Sequence, residues 1–281
     1  MKHATSDYLH SFNHTMTPRI HYTLRVASAM CFIGHGAWGI IRQPAWYNYF
    51  AVAGIGHDLA YSLMPALGTF DILLGIILLF YPLRAIPAWL VVWGFVTALL
   101  RPLSGEPLAE FIERAGNFGA PLALLVFSGG MGKNLRDLVC PIEPDIYPDA
   151  KTLIQVKTCL RIIVALLLAG HGWLNVIGKK GLLDQYAALG FQNPYEVAHA
   201  IGIFEILAGF TVLIRPMRPL LLVFVIWKMG SELFYPHYEL FQWLERGGSY
   251  GCLLALWFIT GKTALPGKKK EPAYYSITAP A

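Results

Sequence analysis

Apolar runs alternate with short polar stretches along most of the 281-residue chain. A hydrocarbon core about 30 Å thick takes roughly 20 apolar residues per helix, with flanking residues able to snorkel. Runs approaching that length fall near 24–41, 63–81, 85–101, 117–131, 159–177, 198–214, 219–235 and 248–261. The pattern predicts an all-α integral membrane protein with eight transmembrane helices. Lys and Arg beside these runs set the orientation. With both termini cytoplasmic, fifteen basic residues lie on the inner side and six on the outer side, and Lys228 is left inside a span.

Composition agrees with the pattern. Hydrophobic residues make up 56% of the chain and charged residues 14%, with a mean hydropathy of +0.49, whereas a soluble domain is roughly 25% charged. A disordered chain is excluded, and an ordinary soluble enzyme is not expected. The net charge of +5 does not gather on one soluble face, so nucleic acid is not an expected partner. Cys31, Cys140, Cys159 and Cys252 are far apart and signal neither a dithiol centre nor a zinc site.

The chain repeats itself. Leu24-Arg25 and Gly34-His35-Gly36 return 136 residues later as Leu160-Arg161 and Gly170-His171-Gly172. The run Gly68-x-Phe70-Asp71-Ile72-Leu73-x-Gly75 returns as Gly202-x-Phe204-Glu205-Ile206-Leu207-x-Gly209, and Glu113-Arg114-x-Gly116 as Glu245-Arg246-x-Gly248. Four spans per copy, an even number, predict two parallel-repeat four-helix bundles. The expected organisation is a cytoplasmic tail over 1–23, a first repeat over 24–131, a cytoplasmic linker over 132–158, a second repeat over 159–261 and a basic tail over 262–281. His3, His10, His14 and His21 fall in the first tail and read as solvated. Residues 42–62, 102–116, 178–197 and 236–247 lie on the outer side. They carry Trp46, Tyr47, Tyr49, Phe50, Tyr186, Tyr195, Tyr238, Phe241 and Trp243, which suits interfacial helices or a docking surface for protein subunits.

Ionisable residues inside a bilayer are costly, so they face the bundle interior and find partners. His35, Asp71, His171, Glu205, Lys228 and Glu232 qualify. Asp71 and Glu205 each sit three residues after one glycine and four before another, on the small-residue face that packs against a neighbouring helix. The assumed topology puts both His-acid pairs in the outer half of the membrane. Lys228 and Glu232 share a face at i,i+4, but the first copy has Gly94 and Ala98 there. The second half therefore concentrates His171, Glu205, Lys228 and Glu232 as the candidate catalytic group. His35 with Asp71, and His171 with Glu205, are the candidate cofactor-binding pairs. No metal site is expected, and haem ligation by the two histidines ranks below a quinone.

An Arg opening the first span, a Gly-His-Gly eleven residues into it, a basic residue after it, and an acid in Gly-x-Phe-[Asp/Glu]-Ile-Leu-x-Gly together resemble the DoxX and DoxD family of four-helix membrane proteins. The resemblance covers most of both copies, on Arg25, His35 and Asp71 and on Arg161, His171 and Glu205. Where the second copy has Lys179 or Lys180, the first has Arg42. The resemblance implies a membrane subunit of a quinone-linked redox complex, in its best-known form oxidising a sulfur compound, in a prokaryotic inner membrane. A small-anion or proton-coupled transporter and a non-catalytic anchor subunit are the alternatives.

Overall fold

The computed structural model describes residues 2–144, 148–234 and 240–261, with side chains from residue 16 onward except that of 234. The expected basic tail, Tyr238 and the side chains of His3, His10 and His14 lie outside the described residues. The described chain is helical, with no strand.

The first half contains α1 (Lys2–Ile40), α2 (Tyr47–Val52), α3 (His57–Phe80), α4 (Ala85–Leu103), α5 (Leu108–Glu113) and α6 (Ala115–Phe127). The second contains α7 (Ala150–Val176), α8 (Lys180–Ala188), α9 (Pro194–Ile214), α10 (Arg218–Ser231), α11 (Leu240–Glu245) and α12 (Gly247–Thr260). Helices α3, α4, α7 and α9 are long and apolar enough to cross a membrane, and Met16–Ile40 with Pro44–Val52, bent by 93°, is a possible fifth crossing.

Three expected spans are shorter in the structure. Helices α6, α10 and α12 have 13, 14 and 14 residues, about 20 Å each at 1.5 Å per residue. The Glu-Arg dipeptides explain two of the short helices, because the chain turns at Arg114 and Arg246 and splits off α5 and α11. In α10 the helix stops at Ser231, and Glu232 begins a short 3-10 turn. Each of the four segments expected on the outer side contains one short α-helix among the described residues: α2, α5, α8 or α11.

The expected tail over 1–23 is also different, since α1 starts at Lys2 and carries Pro18 in its interior. His21 is fully buried, not solvated, and Ile20 and Leu24 enter the core with it. Met16, Ile20, Leu24 and Ala27 recur at helical spacing and extend the packed face below the apolar run that marks the span. The linker is likewise shorter at its far end. Helix α7 begins at Ala150, where the Asp149 carboxylate accepts a hydrogen bond from the Thr152 backbone N–H at 2.7 Å. That backbone bond holds the Asp149 carboxyl below its usual range.

Glycines set the closest packing. Helix α1 lies along α3 where Gly36 meets the carbonyl of Gly68, and α7 lies along α9 where Gly172 meets that of Gly202. A Cβ on Gly202 would sit 2.5 Å from the Gly172 oxygen, a backbone atom that cannot swing aside. Gly202→Ala is expected to cost about 1–3 kcal/mol as overpacking. Gly230→Ala in α10 meets open space and is expected to be neutral or stabilising by up to about 1 kcal/mol. Thermal unfolding of the two variants in detergent checks the contrast.

The halves also interlock. Helix α1 packs on α11 and α12, with Gly34 against the backbone of Glu245, while α7 packs on α5 and α6, with Gly170 against the backbone of Glu113. Three arginines close helix ends at the opposite side. Arg25 donates to the carbonyls of Leu78 and Leu79 at 2.8 and 2.5 Å, and Arg161 to those of Leu213 and Ile214. Arg84 donates to Ser128 and Gly130 at 2.6 and 2.8 Å. These cations satisfy the orphan carbonyls at the C-terminal ends of α3, α9 and α6. Arg25 and Arg161, two of the motif residues, thus hold helix termini at a distance from the histidines.

Candidate functional site

Each histidine meets the acid of its own half. His35 Nδ1 is 2.8 Å from Asp71 Oδ2, and His171 Nδ1 is 2.5 Å from Glu205 Oε2. Both acids are fully buried. The small residues around them explain the meeting, because the glycine contacts bring each helix pair close enough for a short carboxylate to reach the ring.

Beyond this shared pair the halves differ. In the second, Lys228 Nζ lies 3.0 Å from Glu205 Oε1, occupying the carboxylate's other oxygen. Asn175 donates from Nδ2 to the His171 carbonyl at 3.1 Å and accepts at Oδ1 from the Tyr186 hydroxyl at 3.0 Å. Gln185, next to Tyr186 on α8, donates to the Ser231 carbonyl at 2.5 Å. The group is closed by its own side chains. Lys228 and Glu232, despite their i,i+4 spacing, do not pair with each other. Glu232 Oε1 is 3.0 Å from Arg246 Nε, because a buried charge takes the partner that tertiary packing aims at it and not the nearest one along the helix.

In the first half the Lys228 and Glu232 positions are Gly94 and Ala98. Asp71 Oδ1 has no hydrogen-bond partner among the described residues, and a cavity of 360 Å³ opens beside His35. Leu63, Leu67, Trp93 and Ala98 make its wall largely apolar, with Asn117 and Arg101 as polar points. Trp46 packs on the His35 ring with centroids 4.5 Å apart and the planes tilted by 33°. A second, more polar chamber of 160 Å³ adjoins it. The two share Trp46, Tyr49, Arg101, Arg114, Asn117 and Glu245 as lining.

An ionic network that sequence reasoning missed surrounds the chambers. Arg101 pairs with Glu106 at 3.1 Å, Arg114 with Glu110 and Glu113 at 2.6 and 3.0 Å, and Lys179 with Glu110 at 2.6 Å. Arg246 joins it through Glu113 and Glu232, so four cations and four carboxylates are linked across both halves. Its signal was in the sequence, as the Glu-Arg-x-Gly motif present in both copies.

No family model, no curated protein and no solved structure matches this chain. Among the described residues no group of three or more His, Cys, Asp or Glu is placed to hold a metal ion.

Proposed function

We propose that this membrane protein is a multi-pass subunit of a quinone-linked redox system, and that the quinone head group binds in the first-half cavity against His35. The observation that carries the reading is a largely apolar 360 Å³ cavity ending at a histidine backed by a buried carboxylate. Small-molecule sites are mostly apolar clefts of about 300–1,000 Å³ with a few polar groups. An ionised Asp71 holds the His35 Nδ1–H, leaving Nε2 to exchange a proton with a quinone oxygen. Reduction of the quinone to quinol takes two electrons and two protons; the electrons come from a partner subunit that oxidises a reduced donor, a sulfur compound in the type this chain resembles. That partner docks on the aromatic-rich outer segments.

The same reading takes the chain as eight spans in two parallel bundles with both termini in the cytoplasm of a prokaryote. Recurrence of the Gly36–Gly68 contact as Gly172–Gly202, and of the Gly34–Glu245 contact as Gly170–Glu113, supports it. The broken pairs α5–α6 and α11–α12 then count as one crossing each. An anion transporter is disfavoured, because each cation of the network already faces a carboxylate.

Extraction of protein purified in mild detergent is expected to yield bound quinone. Decylubiquinone is expected to quench tryptophan fluorescence, as Trp46 and Trp93 line the cavity. Asp71→Asn should weaken that binding about tenfold, the worth of a charge-assisted hydrogen bond of ~1.5 kcal/mol. Absence of both bound quinone and quenching would defeat the reading.

A further inference from the structure

Glu245 is the carboxylate that the ionic network leaves out. Its equivalent in the first repeat, Glu113, is buried and held by Arg114 and Arg246. Glu245 is half-buried, and its side chain makes no ion pair or hydrogen bond among the described residues. It nevertheless lines both chambers, at the point where the end of α11 abuts Gly34, one residue before His35.

The two chambers suit different contents. The smaller, with Gln242, Ser249, Asn117 and the ionic residues on its wall, has room and partners for several waters at about 10–15 Å³ each. The larger is apolar and contains His35. A group that carries protons from one to the other must be ionisable, face both and be free of a salt bridge that would fix its charge. Glu245 meets all three conditions. The charged and titratable groups facing it are Cys31 and His35 from α1, Tyr49 from α2, whose hydroxyl is committed to Glu106, Arg101 from α4, Glu113 and Arg114 at the α5–α6 junction and Arg246 beside it. The cations among them are already engaged by other carboxylates.

We propose that Glu245 is the proton-loading group of the site, taking protons from water in the polar chamber and delivering them to His35 in the apolar one. The transfer is a plain proton relay: Glu245 gives up its carboxylic proton to the His35 imidazole and regains one from water. The identity of the final acceptor rests on the quinone reading; the relay itself does not.

The test uses the full chain in liposomes. Infrared spectra recorded while the pH is lowered are expected to show a carboxylic C=O band that shifts promptly in D2O and is lost in Glu245→Gln. Hydrogen exchange of the His35 ring N–H, assigned by its loss in His35→Asn, is expected to slow about a hundredfold in Glu245→Gln, the low end of what a positioned proton donor contributes. Glu245→Asp, which keeps the carboxylate, should restore both signals where a merely structural role would restore neither. Unchanged His35 exchange in Glu245→Gln, or survival of the band, overturns the proposal. If decylubiquinone fails to bind wild-type protein while the band and exchange behave as expected, the quinone reading falls and the proton relay stands.

Discussion

Lys228→Met is expected to destabilise the protein by about 3–5 kcal/mol, the cost of leaving a buried charge without its partner. Lys228 and Glu205 are both buried, and their 3.0 Å contact takes up the carboxylate oxygen that His171 does not reach. Without the ammonium, Glu205 keeps only His171 and Asn175, and either an unpaired charge or a proton must be accommodated in a site built for neither. The double variant Lys228→Met with Glu205→Gln is expected to recover most of the loss, because a glutamine can still accept from the His171 ring and brings no charge. Thermal unfolding of both single variants and the double variant gives the coupling directly. Equal losses in the single and double variants would show that Lys228 contributes packing alone.

The two His–acid pairs differ in their surroundings. In the second half Lys228 stands 3.0 Å from Glu205, and Asn175 and Tyr186 extend the polar group around His171. In the first half Gly94 and Ala98 stand where the second has Lys228 and Glu232, no Lys or Arg pairs with Asp71 among the described residues, and a cavity lined by Ala98 opens beside His35. Those two second-half side chains are themselves engaged, Lys228 facing Glu205 and Glu232 facing Arg246.

Much of the helix pattern was legible before the structure, and for local reasons. Hydrophobic runs mark the long helices, and the glycine spacing around Asp71 and Glu205 puts both acids on a packing face. What escaped was tertiary. Nothing local tells that Arg246 reaches Glu113 in the other half, or that Glu232 turns to Arg246 and away from Lys228. The inward start of α1 was hidden because Thr17 and His21, polar by type, are buried in place. The cavity was the hardest feature to foresee, since its wall is made of ordinary apolar residues such as Leu63, Leu67 and Ala98 and leaves no mark on the hydropathy pattern.

Ala98→Phe tests the cavity itself. Gly94 is the less useful position, because a Cβ there would already sit 3.2 Å from the Asn117 carbonyl oxygen and any larger group would push on backbone. Ala98 is buried, carries its own Cβ and lines the 360 Å³ space, so a phenyl ring has room to enter it without displacing a helix. Stability is expected to hold or rise, as when a cavity is filled by an apolar group. Decylubiquinone binding is expected to fall about a hundredfold, or ~3 kcal/mol, since the ring and the quinone compete for one volume. In the second half Glu232 stands at the equivalent position. Full binding in a well-folded Ala98→Phe would place the ligand elsewhere, and would leave His35 and Asp71 as a tie between α1 and α3, as His171 and Glu205 tie α7 to α9.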